Sequence, residues 1–119
     1  MKRSINDWVE ACHTLATSKG WWDDTISDSI LTPDELLSKL MLVVTEIAEA
    51  AEEVRIPGFD PCKALVVDNK PEGFPVELAD AVIRIFDICG RLGIDLDAAI
   101  ETKHRYNETR AIRHGGKLA

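Results

Sequence analysis

The sequence predicts an all-α fold: a four-helix-bundle-like subunit that assembles as a homo-oligomer. Three observations predict it. Apolar residues recur at helical spacing in four separate segments. Two of those segments open with strong helix-start signals. The third is apolar around more than half its girth, and a lone subunit of 119 residues offers too few neighbours to cover it.

The first helix is expected from about Asn6 to Lys19, with Ser4 as N-cap. Ile5, Trp8, Val9, Cys12, Leu15 and Ala16 form its stripe, and "KGWWDD" breaks it. The second begins at "TPDE", where Thr32 caps, Pro33 suits the first helical position and Glu35 completes a capping box. Leu36, Leu37, Leu40, Met41, Val43, Val44, Ile47, Ala51 and Val54 lie on one broad side, and Pro57-Gly58 ends it. A long connection over 57–75 holds four of the five prolines, and "KALVV" within it reads as a short extended piece. The third helix follows Pro75 and stops near Gly93; Leu78, Ala79, Val82, Ile85, Phe86, Ile88, Cys89 and Leu92 make its wide apolar arc. Asp95 caps a fourth, running to about Arg110, and a basic tail spans 111–119. The whole reads as a single domain, with no internal repeat.

The formal net charge of −7 disfavours binding to a nucleic-acid backbone. Three cysteines without a CxxC spacing argue against a disulfide framework or a zinc site. No apolar run approaches the roughly 18 residues of a membrane span, and no leader is read. The expectation is a soluble, cytoplasmic protein that binds neither membrane nor nucleic acid.

The chemistry concentrates in "TEIAEAAEE" (45–53) and "ELAD" (77–80). Side chains three apart share one side of a helix, so Glu46, Glu49 and Glu53 form an acidic stripe. Glu77, Asp80, Arg84 and Asp87 share the polar strip of the third helix. If the two helices pack antiparallel, the pairs converge. Clustered carboxylates raise one another's pKa values, and a hard divalent cation relieves the repulsion. The competing reading is a pair of ordinary solvated faces. On the fourth helix, the stripe of Leu96, Ala99 and Ile100 continues as Lys103, Tyr106, Asn107 and Arg110, which suits carboxylates, phosphates or a neighbouring subunit. "RHGGK" (113–117) adds a glycine pair between His114 and Lys117. Trp21 and Trp22 are expected in core or interface packing, with a base-stacking platform as the functional alternative.

Three blocks, "EIAE", "EGFPVELADAVIRIFD" and "KHRYNETRAIRHGGK", occur in an order that resembles the MazG-like, all-alpha NTP pyrophosphatases, over roughly residues 36–117. The resemblance implies a dimer or dimer of dimers. It implies Mg2+-dependent cleavage of a nucleoside triphosphate to the monophosphate and pyrophosphate, with Mn2+ as the substitute ion. Carried over, Glu46, Glu49, Glu77 and Asp80 become metal ligands. One of the first pair, or Glu53, orients the attacking water. Lys103, Asn107, Arg110, His114 and Lys117 hold the phosphates. A narrower dUTP-, dCTP- or signalling-nucleotide pyrophosphatase is the enzymatic alternative. Two rivals come from other classes. One is a di-iron bundle built on Glu10/His13 and Glu101/His104, which the helical wheel disfavours. The other is a non-catalytic dimerisation or regulatory bundle.

Overall fold

In the computed structural model the chain is described over residues 2–23 and 30–110. Four helices build the subunit: α1 (Ile5–Ser18), α2 (Pro33–Val54), α3 (Phe74–Leu92) and α4 (Leu96–Thr109). Local chemistry sets their starts as expected. Ser4 accepts from the Asp7 N–H while the Asp7 carboxylate accepts from the Ser4 N–H, and Thr32 and Glu35 do the same on α2. Each reciprocal pair satisfies two otherwise unpaired donors. Asp95 caps α4 by accepting from the Ala98 N–H.

α3 is the shared middle helix, with α2 packed along one side and α1 along another. Glu46 meets Arg84, and Glu53 acts on Glu77, so α2 and α3 run antiparallel. α1 approaches α3 closely at Gly90, where a Cβ would stand 2.4 Å from the His13 Cβ and 3.2 Å from the Val9 carbonyl oxygen. Two glycine hydrogens are all the space allows. Beside that contact, Ala16, Trp22 and Leu31 form a small buried cluster.

Two features go beyond the sequence expectation. The extended piece expected at "KALVV" is β1 (Leu65–Val67), and it pairs with a second strand, β2 (Lys70–Glu72), as an antiparallel hairpin with Leu65 opposite Glu72. Its turn residues Asp68 and Asn69 both have positive φ (50° and 67°), the conformation of a tight two-residue hairpin turn. The hairpin base passes under Gly73, where a side chain would collide with the Lys63 carbonyl oxygen, 2.5 Å from the ideal Cβ.

The second feature is orientation. α2 turns Leu36, Lys39, Val43, Glu46, Ala50 and Glu53 inward, all at least half-buried. Its most regular apolar stripe, Leu37, Leu40, Met41, Val44, Ile47 and Val54, is exposed. α4 buries no residue fully and packs on α1. Its attachment is its first turn: Asp97 N–H donates to Asn6 Oδ1, Asn6 N–H to Asp97 Oδ2, and Asn6 Nδ2 to Asp95 Oδ1. The cationic continuation of its stripe is therefore exposed rather than core-facing. No helix among the described residues is long and apolar enough to cross a membrane.

Candidate metal centre

Three carboxylates converge in the groove between α2 and α3. Glu46, Glu77 and Asp80 each offer an oxygen, all within 4.8 Å of one another, and each side chain is half-buried. Antiparallel packing brings them together: Glu77 and Asp80 are one turn apart near the start of α3, and Glu46 faces them from the second half of α2. Arg84 Nε donates to Glu46 Oε1 at 2.9 Å and neutralises one member.

The other two bear the electrostatic cost. Burial pushes the Glu77 carboxyl above the usual range, and Asp80, Glu46, Glu49 and Glu53 push it further. Burial also raises Asp80, with Glu46 adding to the shift; Arg84 and Lys70 pull it back. Lys70 reaches this field from the hairpin, which gives the long connection a role at the groove. Nothing local in the sequence marks Lys70 for it.

Of the expected ligands, Glu49 is exposed and outside the triad, although its charge is felt at Glu77. One step of three residues turns a side chain some 60° round the helix axis, enough to lift Glu49 toward the rim. Glu53 is half-buried and likewise acts on Glu77. Lys103, Asn107 and Arg110 are exposed on α4, and neither the Lys103 nor the Arg110 charge is among those acting on Glu77 or Asp80. Lys103 and Arg110 lie over the Tyr106 ring, at 4.7 Å and 5.8 Å from its centroid. His114 and Lys117 lie outside the described residues. The di-iron ingredients do not assemble: Glu10 is exposed, Glu101 pairs with Arg105 at 2.7 Å, and His13 Nδ1 donates to Asp87.

Asp87 is the functional-looking residue that the sequence pattern misplaces. It belongs to the polar strip of α3 by spacing, yet it is 6% exposed. Its Oδ1 accepts from His13 Nδ1 at 2.8 Å and from Trp22 Nε1 at 2.9 Å. Trp22 is thus a buried structural residue, as expected for one of the tryptophan pair, whereas Trp21 is 43% exposed.

The triad suits a hard cation. All three donors are carboxylate oxygens, close enough to share one ion, and two of them are disfavoured in their charged form without one. Oxygen-only sets of this kind match hard divalent cations such as Mg2+, Mn2+ or Ca2+. Comparison with known protein families, with curated proteins and with solved structures gives no match.

Proposed function

We propose that the α2–α3 groove is the active site of a nucleoside triphosphate pyrophosphohydrolase of the MazG-like, all-alpha kind, releasing the nucleoside monophosphate and pyrophosphate. The observation that carries this reading is the triad of Glu46, Glu77 and Asp80 from two antiparallel helices, with Arg84 and Lys70 beside it. Carboxylates alone would repel a triphosphate. Carboxylates holding a cation, with the Arg84 guanidinium held against Glu46 and the exposed Lys70 ammonium adding to the field, would attract one.

Glu46, Glu77 and Asp80 would hold the ion. When bound, Mg2+ or Mn2+ supplies Lewis acidity toward phosphoryl oxygens and a nucleophile at neutral pH. Arg84 and Lys70 offset charge on the phosphates. Glu49 and Glu53 stand on the α2 side of the groove, where a carboxylate can orient water and take its proton. The water oxygen bonds to phosphorus, the bond to the pyrophosphate oxygen breaks, and the proton goes to the carboxylate. The test is pyrophosphate release from a panel of canonical and modified NTPs with Mg2+ or Mn2+. Release that requires the metal supports the reading. No release from any member sinks it in favour of a binding module.

The reading includes self-assembly. Leu37, Leu40, Met41, Val44 and Ile47 of α2 and Leu78, Val82, Ile85 and Leu92 of α3 are exposed, and apolar faces left bare over several helix turns mark protein–protein contact sites. Lys103, Asn107 and Arg110 enter the mechanism through this assembly, carried on α4 to the groove of a second copy. Leu40→Glu with Val44→Glu is expected to give a monomer by sedimentation and to lose turnover with it. A variant that still sediments as an oligomer would place the interface elsewhere.

A further inference from the structure

Next to the triad lies a cavity that the carboxylate chemistry leaves unused. It measures 270 Å³ and is lined, among the described residues, by Trp21, Lys39, Leu42, Arg84, Asp87 and Ile88. Its walls are mixed in a particular way. Trp21 offers a partly exposed aromatic face. Lys39 and Arg84 offer cationic donors, and Asp87 a buried acceptor.

The cavity is continuous with the proposed metal centre through one side chain. Arg84 lines it, lies 5.0 Å from the centroid of the Trp21 ring, and holds Glu46 by its Nε. Lys39 fixes the other wall: its Nζ donates to the Trp21 carbonyl at 2.8 Å and stands 4.4 Å over the Trp22 ring. Lys39 precedes Glu46 by two turns of α2, and Asp87 follows Asp80 by two turns of α3. Two turns is ~10 Å along the groove, the order of the span from a nucleobase through its sugar to its first phosphates.

We propose that this cavity is the base pocket of the nucleotide, with the heterocycle stacked on Trp21 and the phosphates passing Arg84 toward the triad. The proposal rests on the function argued above and adds the substrate class. The walls favour a base that carries a carbonyl beside a ring N–H, as uracil, thymine, guanine and hypoxanthine do. The carbonyl accepts from Lys39 or Arg84, and the ring N–H donates to Asp87. Adenine reverses that edge, with an exocyclic amino donor beside a ring-nitrogen acceptor, so in the same pose its N6 meets the cationic donors and its N1 meets Asp87, and mispaired groups in a site built for hydrogen bonds are what reject a wrong ligand.

Two measurements separate this proposal from the function it builds on. Binding of inorganic tripolyphosphate with Mg2+ reports the metal centre without a base. Binding of non-hydrolysable dUTP, dGTP and dATP analogues, with turnover of the parent nucleotides, reports the cavity. The dUTP and dGTP analogues are expected to bind about tenfold or more tighter than the dATP analogue. Trp21→Ala is expected to weaken nucleotide binding by about tenfold or more, the scale of one base–aromatic stack, and to leave tripolyphosphate affinity unchanged. Leu42→Trp, which fills the cavity, is expected to act in the same direction. Nucleotide affinity unchanged in both variants, or an equal loss of tripolyphosphate affinity in Trp21→Ala, overturns the pocket. If no nucleotide is hydrolysed, the function fails. The pocket then stands on Trp21-dependent binding of the analogues and falls if that binding is absent or insensitive to Trp21.

Discussion

Asp80→Asn is expected to abolish metal-dependent turnover and, without divalent ions, to raise the melting temperature at neutral pH. The loss of activity should exceed the ~10–100-fold cost of removing an outer-sphere partner of a metal ligand. The gain in stability follows from charge. Burial and Glu46 raise the Asp80 carboxyl in the folded chain, and Glu77 shifts the same way, again chiefly by burial. A folded state that holds its protons more tightly than the unfolded one gains stability at low pH. That contribution is fully present below the unfolded carboxylate value and is lost as pH rises through the raised folded value. At neutral pH the native triad bears the full penalty, and an amide does not.

Divalent ions should reverse the order. Saturating the native protein at a hundred times the dissociation constant adds ~2.7 kcal/mol, whereas the variant, short of a ligand, gains little. Thermal melts with chelator and with Mg2+, at pH 5 and pH 8, check each part. A variant that melts below the native protein at pH 8 in chelator would show that Asp80 does not sit in a repulsive cluster. A native protein indifferent to Mg2+ and Mn2+ would remove the metal centre.

Asp87→Ala is expected to cost about 1–3 kcal/mol for each buried donor that loses its acceptor. The carboxylate accepts from both His13 and Trp22, so truncation strands an imidazole and a buried indole N–H together. Domains are stable by only about 5–15 kcal/mol, so this one change takes a large share of what holds α1 to α3. Asp87→Asn keeps an acceptor oxygen and should lose less. Urea unfolding of the two variants against Glu101→Ala, an exposed control, settles the ranking. An Asp87→Ala cost within about 0.5 kcal/mol, the usual scatter of surface substitutions, would mean that the two hydrogen bonds do not anchor the helix.

Helix starts were legible in the sequence because capping is local: Ser4 and Thr32 each find their partner three residues on. The meeting of Glu46 with Glu77 and Asp80 was legible too, because spacing fixed the faces and antiparallel packing was the natural way to join them. Orientation was not. Periodicity shows that Leu37, Leu40, Met41 and Val44 share a face, but it does not say whether that face meets α3 or looks outward, and here it looks outward. α4 failed for a related reason. A stripe that turns from apolar to cationic reads as core-facing only if the helix docks along its length, and this one docks by its first turn. Asp87 lay beyond reach because its burial depends on His13 and Trp22, more than sixty residues earlier in the chain.

The narrow foothold of α4 makes it a lever. A helix of 14 residues reaches ~21 Å from its base, so a tilt of ten degrees at Asn6 would swing the far end by several ångströms without breaking a contact of α2 or α3. Amide exchange along α4 should accordingly outpace that of the middle helix. The arm can then swing while the α2–α3 groove keeps its shape.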